Sequence, residues 1–420
     1  MLLSFRVTNH RSLREEQQLL LTPTYPDDRA DDADWEAVPV AGIFGANASG
    51  KTNVLDALVS MRALVLGSLR DSESRIGIHR HPFSLDTTST DTPSTYVVDL
   101  LIRGVRYTYG VSVDDSHVTE EWLHTYPHKR KREIFHRVDD KFNWGDTAST
   151  QLRKYADDLE SNVLFLSVAG RFKVRDTRVP FEWFVKARPH KPFFRFSGDR
   201  TSNRIDNRNL DRISALLRAA DTGIDAIELI EERAEDWSGQ SPNPSVTEDG
   251  ARRRFLQLQH RGEEGALFPL LFRDQSFGTQ ALTEIGVLAL DVLAAGSILI
   301  VDEIDRSMHT FLTAQIIGLF RDPETNPNGA QLIFSSHDSA LLGRIQGVEV
   351  LDRDHVWFTE KDECGATELF PISAFKPRKE DNLERRYLSG RYGAVPIIKD
   401  ELFAAALSAR ENTDDATSAK

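Results

Sequence analysis

Residues 45–52 constrain the fold of this chain more than any other feature. They read Gly45-Ala46-Asn47-Ala48-Ser49-Gly50-Lys51-Thr52, which fits the pattern G-x-x-x-x-G-K-[ST]. A short apolar strand over 38–44 precedes them. A helix follows, with Val54, Leu55, Leu58, Met61 and Leu64 at helical spacing. Strand, glycine-rich turn and helix form the context that a phosphate-binding loop requires. Glycines let the backbone curl until successive N–H groups point at one anion, and the helix N-terminus adds a favourable field. In such a loop Lys51 supplies a point charge to the β- and γ-phosphates, and the Thr52 hydroxyl ligates Mg²⁺.

A second apolar strand, over 297–301, ends in Asp302-Glu303. Two carboxylates at the carboxyl end of a buried strand lie where ligands bind in open α/β sheets. Asp302 is expected to hold the Mg²⁺ shell, and Glu303 to orient or deprotonate the attacking water. A third strand, over 331–334, runs through Ser335-Ser336 into His337-Asp338, and His337 is placed to donate to a γ-phosphate oxygen.

With these three motifs on one chain, the sequence resembles ABC-type ATPases. Glu303-Ile304-Asp305-Arg306-Ser307-Met308-His309 is similar to their D-loop, with Asp305 its key acid, and His337 matches their switch histidine. Asp274-Gln275-Ser276-Phe277-Gly278-Thr279-Gln280 precedes an apolar helix over 279–295 and resembles the signature, reading S-x-G-T in place of L-S-G-G. The resemblance implies that Ser276 and Gly278 bind the γ-phosphate held by a second copy. Phe5-Arg6-Val7-Thr8-Asn9-His10-Arg11-Ser12-Leu13 resembles the first strand of SMC and RecF-like ATPases, which implies that Arg11 approaches the nucleotide. No clear glutamine-loop residue is found; His81-Pro82-Phe83 occupies about that region.

The likeness extends to stand-alone bacterial ATPases of anti-phage and abortive-infection systems related to the OLD ATPase domain. It rests on the run from Asp381-Asn382-Leu383-Glu384-Arg385-Arg386-Tyr387 through Gly393-Ala394-Val395-Pro396, and on 354–361. A tail docked against the ATPase core is the alternative role for 387–396. The resemblance implies an ATP- and Mg²⁺-dependent ATPase that acts as sensor or scaffold, with an effector protein, a nuclease, encoded nearby. It also implies a head-to-head dimer or higher oligomer of the chain with itself. A RecF- or SMC-like DNA repair ATPase is the alternative. Direct contact with nucleic acid stays open.

The expected fold class is α/β, a P-loop NTPase of the ABC-type ATPase head with a mainly helical insertion. Residues 1–149 form the N-terminal lobe and 150–259 the insertion, with Leu216, Leu217, Ile224 and Ile227 among its apolar positions. Residues 260–420 form the C-terminal lobe with the signature, the Asp302 strand, the D-loop and His337, followed by a tail. Residues 96–101 and 105–113 alternate around Arg103-Gly104 and read as a β-hairpin. Acidic 26–36 and polar 236–254 read as loops, and polar 70–95 as a mobile stretch.

Composition excludes some classes. No apolar run approaches the ~20 residues that span a bilayer, and the N-terminus turns polar too soon for a signal peptide, so no membrane partner and a cytoplasmic location are expected. The single cysteine, Cys364, excludes an intramolecular disulfide and a cysteine-based zinc site. A net charge of −13 argues against coating nucleic acid with the whole surface. His128-Lys129-Arg130-Lys131-Arg132 is the densest basic run, followed by Arg252-Arg253-Arg254. These read as solvated turns or helix faces, with a local basic groove as the alternative.

Overall fold

The computed structural model describes residues 1–25, 36–71, 77–146, 148–172, 174–190, 205, 207–220, 222–233, 252–396, 401–402 and 405. The acidic stretch at 26–35 and most of the polar segment at 236–254 lie outside the described residues.

The chain opens with β1 (Leu2–Thr8) and β2 (Gln17–Leu20), then enters the phosphate loop from β3 (Val40–Phe44) and leaves it in α1 (Lys51–Asp71). A meander follows: β4 (Ser94–Ile102), β5 (Val105–Val113), β6 (Val118–Tyr126), β7 (Arg132–Val138) and β8 (Lys141–Trp144). With β1 and β2 it forms a seven-stranded antiparallel sheet in the order β2-β1-β4-β5-β6-β7-β8. The hairpin expected around Arg103-Gly104 is present, with Ile102 opposite Val105 and both turn residues at positive φ, 52° and 75°. Those angles match the right-handed twist of the flanking strands.

Next come α2 (Thr150–Lys154), α3 (Phe165–Ala169), α4 (Arg175–Lys186), β9 (Arg188–His190), α5 (Asn207–Ala219), β10 (Ile224–Arg233), β11 (Arg252–Arg261) and β12 (Leu267–Leu271). This stretch is less helical than the sequence suggests. Strands β10, β11 and β12 pair as an antiparallel sheet, with Leu229 opposite Leu256 and Ile227 opposite Leu258. Ile224 and Ile227 therefore lie on a strand, because their spacing of three also fits a slightly irregular strand, and the register shifts between Ile224 and Ala226.

The C-terminal part carries α6 (Phe277–Ala295), β13 (Ile298–Val301), α7 (Thr310–Arg321), β14 (Gln331–Ser335), the two-residue strands β15 (Arg344–Ile345) and β16 (Val348–Glu349), β17 (Val356–Lys361), β18 (Thr367–Pro371) and α8 (Leu383–Leu388). The central sheet takes the order β18-β17-β3-β14-β13-β9, parallel except for the β17–β18 pair. It unites strands from both ends of the chain and one, β9, from the middle.

Parallel strands with both faces covered read as continuous apolar runs, and β3, β13 and β14 are buried throughout. Their side chains alternate between two cores. Ala41, Ile43, Ile298, Ile300, Ile333 and Trp357 pack with α1, α3, α4 and the antiparallel sheet. Val40, Phe44, Leu299, Val301, Leu332, Phe334 and Phe358 pack with α5, α6 and α7. Helices α1 and α6 are, contrary to expectation, long and apolar enough to cross a membrane. Here they cover opposite faces of this sheet, which is why they are apolar. Ser276 caps α6, accepting from Thr279 N at 3.1 Å, and Gly296 ends it at a φ of 58°. Tyr387 and Tyr392 stack on Phe358 of β17, with ring centroids 5.4 Å and 5.6 Å away, and so dock the C-terminal run onto the sheet.

Candidate nucleotide site

The phosphate loop leaves β3 at its carboxyl end and curls through positive φ at Gly45 (153°), Ala48 (62°) and Gly50 (109°). A side chain at Gly45 would strike Thr359 O at 2.5 Å, and one at Gly50 would strike Thr367. The β17–β18 hairpin thus clamps the loop from outside. Ser49 Oγ and Thr359 Oγ1 lie 2.7 Å apart, and Thr367 Oγ1 donates to Ser49 O at 2.8 Å. Inside the curl, Lys51 Nζ donates to Gly45 O at 2.8 Å and Ala46 O at 3.0 Å. Burial lowers the Lys51 pKa to about 8, against the opposing pull of Asp302, Asp305 and Glu303.

Strands β13 and β14 bring the acids to this loop. Thr52 Oγ1 donates to Asp302 Oδ1 at 3.1 Å, across 250 residues of sequence. Ser335 Oγ donates to the same oxygen at 2.6 Å and accepts from Glu303 N at 2.8 Å. Ser335 carries little signal in the sequence, a serine that closes the buried strand Gln331–Ser335. Glu303 sits at a left-handed φ of 51°, held by Asp302 N donating to His190 O at 3.2 Å and Ile304 N to Ser335 O at 3.0 Å. His337 bridges the two halves, with Nδ1 3.3 Å from Lys51 Nζ and Nε2 4.0 Å from Glu303 Oε1. Lys51, Thr52, Asp302, Glu303 and His337 therefore surround one point. Asp305 joins them through its field on Lys51, and its buried Oδ1 lacks a hydrogen-bond partner.

This donor set fits a nucleotide with a divalent cation. The Thr52 hydroxyl and the Asp302 carboxylate supply hard oxygen ligands 3.1 Å apart, the kind that Mg²⁺ takes. Lys51 spends its protons on two carbonyls of the loop itself, groups that a phosphate oxygen outcompetes by charge. An orphaned buried carboxylate oxygen at Asp305 adds acceptor capacity to the same locus.

Arg11 stands at a φ of 52° and its Nε donates to Asp56 Oδ2 on α1 at 2.5 Å. His10 Nε2 lies 3.2 Å from the same oxygen. Asn53 Nδ2 donates to Ser12 Oγ at 2.6 Å, and Arg11 N to His81 O at 2.6 Å. The 9–12 turn is thus stapled beside the first turns of α1, and the His81 segment lies against Arg11. That segment carries no glutamine.

Ser276 and Gly278 contact other partners. Ser276 Oγ caps Thr279 N, and a Cβ on Gly278 would come within 2.6 Å of Ser307 O. The signature-like turn thus rests on the chain's own D-loop-like segment. Phe277, between them, is 68% exposed.

Residues 40–343 match the family described as "AAA domain, putative AbiEii toxin, Type IV TA system". The chain belongs to this family. No curated protein matches the sequence. Among solved structures, the chain is similar to an SMC head bound to the C-winged helix domain of ScpA (12% identity, 90% of this chain and 99% of that one, TM-score 0.45). It is also similar to the SMC head domain from Thermotoga maritima (14%, 88% and 98%, 0.42). A third is the Smc head domain with an extended coiled coil bound to the C-terminal domain of ScpA from Pyrococcus furiosus (12%, 89% and 97%, 0.41). Lys51, Thr52, Asp302, Glu303 and His337 all lie within the matched span of this AAA-domain family.

Proposed function

We propose that the chain binds ATP with Mg²⁺ and hydrolyses it at composite sites formed by two copies, and that this cycle serves as the sensor of a bacterial anti-phage system whose effector, a nuclease, is a separate protein. The observation that carries the catalytic part is the shared Asp302 Oδ1, which accepts from Thr52 and from Ser335 at 3.1 Å and 2.6 Å. It ties the loop to the acidic strand end in the arrangement that phosphoryl transfer to water needs.

In this reading the backbone amides of residues 45–52 receive the phosphates, and Lys51 swings from its own carbonyls to the β- and γ-oxygens. Thr52 and Asp302 would hold Mg²⁺, which would supply charge neutralisation at the transferring group. Glu303 takes a proton from the attacking water, and His337, already beside Lys51 and Glu303, donates to the γ-phosphate. Arg11, fixed on Asp56, flanks the site. Ser276 and Gly278, whose contacts are with Thr279 and Ser307, face the ATP of a partner copy, and Asp305 completes that interface. The family's description, with its toxin–antitoxin system, supports a role in bacterial conflict.

ATP turnover and binding by the purified chain test this reading. Lys51→Ala should lose nucleotide binding, whereas Glu303→Gln should bind ATP and hydrolyse it about 10²–10⁴-fold more slowly. A Glu303→Gln chain with the wild-type rate removes the catalytic assignment. In cells, the chain with its neighbouring gene should restrict phage, and both substitutions should abolish protection; protection that survives both removes ATP from the mechanism.

A further inference from the structure

The antiparallel meander sorts charge to its two ends. The turns at 103–104 and 127–131 lie at one end, because β4 and β6 run the same way; the turns at 114–117 and 139–140 lie at the other. The second pair carries Asp114, Asp115, Asp139 and Asp140. The first carries Arg103, Lys129, Arg130 and Lys131, all exposed and without an ion pair among the described residues. Lys186, at the end of α4, is exposed and lines the same groove as Arg103. The one carboxylate of that groove, Glu182, is held by Arg178 at 2.6 Å. Arg106 and Tyr126 are directly paired across β5 and β6 and join the two basic turns. Neighbouring hairpin tips lie two strand spacings apart, about 10 Å. In a chain of net charge −13 this end is a local cationic strip.

The 127–130 turn is built at a conformational cost. His128 and Lys129 both take positive φ, 54° and 62°, and Arg130 N donates to Pro127 O at 3.2 Å. Asn-Gly is the pair that relaxes such a turn. Here the two positions hold an imidazole and an ammonium instead, and His128, Lys129, Arg130 and Lys131 are all exposed at this turn.

We propose that this end of the sheet is a binding surface for the phosphate backbone of duplex nucleic acid. A duplex presents one negative charge per about 1.7 Å of its axis, so a strip about 10 Å wide meets several phosphates at once. Protein interfaces anchor on buried aromatic or aliphatic groups. At these turns the Arg106 guanidinium lies over one face of the Tyr126 ring, 5.0 Å from its centroid, and the exposed Arg103, Lys129, Arg130 and Lys131 offer charge as the means of recognition. Single strands are gripped by stacking bases on aromatic faces, and Arg106 already occupies one face of the Tyr126 ring. Recognition is thus of the backbone, independent of base sequence.

The test uses the full-length chain without nucleotide, so that its outcome is separate from that of the ATPase assignment. Binding to a fluorescent 30-base-pair DNA duplex is followed by anisotropy between 50 and 200 mM salt, with a duplex RNA, a single strand and poly-glutamate as competitors. The wild-type plot of log K against log salt should have a slope of about −4, and Lys129→Ser with Arg130→Ser and Lys131→Ser should bring it to about −1. His128→Asn with Lys129→Gly should weaken binding while holding or raising the melting temperature, which separates lost contacts from lost folding. Lys141→Ser, at the acidic end, should leave the slope unchanged. Competition by either duplex, ahead of the single strand, supports the proposal. It is overturned by a wild-type chain that does not bind the duplex at 50 mM salt, by equal slopes for wild type and triple variant, or by poly-glutamate displacing the duplex more effectively than unlabelled duplex does.

Discussion

Ser335 anchors Asp302: its buried hydroxyl donates to Asp302 Oδ1 at 2.6 Å, while its oxygen accepts the amide of Glu303 at 2.8 Å. One side chain on β14 thereby holds the carboxylate of Asp302 and the backbone of Glu303 at the end of β13. It does so from a neighbouring strand, so parallel registry of Val301 with Phe334 sets the geometry of the site.

Ser335→Ala should therefore damage the site without removing any group that touches ATP. Hydrogen bonds to charged groups contribute about 1.5–3 kcal/mol, and the loss should appear in urea unfolding. The distinguishing readout is a titration of ATPase activity with Mg²⁺, where the variant should need more metal for half-maximal rate because Asp302 is no longer fixed. An unchanged Mg²⁺ dependence with lower stability would leave Ser335 a purely structural residue.

Lys51 carries a stability penalty in the nucleotide-free chain. Burial lowers its pKa from 10.5 to about 8. Between these values the unfolded chain binds more protons than the folded one, so stability rises with pH. Below about pH 8 the penalty is complete, and it is relieved as pH climbs toward the unfolded value. Lys51→Met should consequently be more stable than wild type at pH 7, and its advantage should shrink between pH 8 and 10. Thermal melts across that range check the sign; an advantage that grows with pH contradicts it.

Glu303 combines a left-handed backbone, φ 51°, with a catalytic assignment. The left-handed conformation costs an L-residue about 1–2 kcal/mol, while glycine adds about 0.5–1 kcal/mol of chain entropy to the unfolded state. Glu303→Gly should thus fall within about 1 kcal/mol of wild-type stability. Glu303→Val should be clearly less stable, since a β-branched side chain fits that region poorly. Both should lose hydrolysis. Equal stability of the two variants would show that the turn relaxes out of the left-handed region.

The parts of this site legible in the sequence are those whose signal is local. Residues 45–52 declare themselves by glycine spacing, and Asp302-Glu303 by an apolar run that stops at two acids. Arg103-Gly104 marks a hairpin because the turn residues and both alternating strands lie within twenty residues of one another. Non-local partners are where the reading fails. Strand β10 pairs with β11 some thirty residues on, so nothing near Ile224 and Ile227 distinguishes strand from helix. Strand β9 is Arg188-Pro189-His190, an edge strand beside β13 with no apolar pattern. Ser335 escapes notice for the same reason, as its two partners lie some thirty residues back on another strand.

The contact between Gly278 and Ser307 bears on whether two copies share a site. A Cβ at Gly278 would meet Ser307 O at 2.6 Å, so the signature-like turn and the segment after Glu303 lie against each other, with Phe277 exposed beside them. Ser276 makes its contact with Thr279. If this surface completes the partner's site, defects in different halves should complement. A Lys51→Ala chain lacks its own phosphate grip but offers an intact Ser276; a Ser276→Arg chain has the reverse defect. In a two-fold dimer the mixed species then contains one intact site of two. Each variant alone should be inactive, and an equimolar mixture should recover about a quarter of the wild-type rate, since half of the randomly formed dimers are mixed. Gly278→Ala should weaken this recovery by prising the turn from Ser307. A mixture no more active than its components, alongside wild-type turnover that is linear in protein concentration down to monomer, would place the whole site within a single chain.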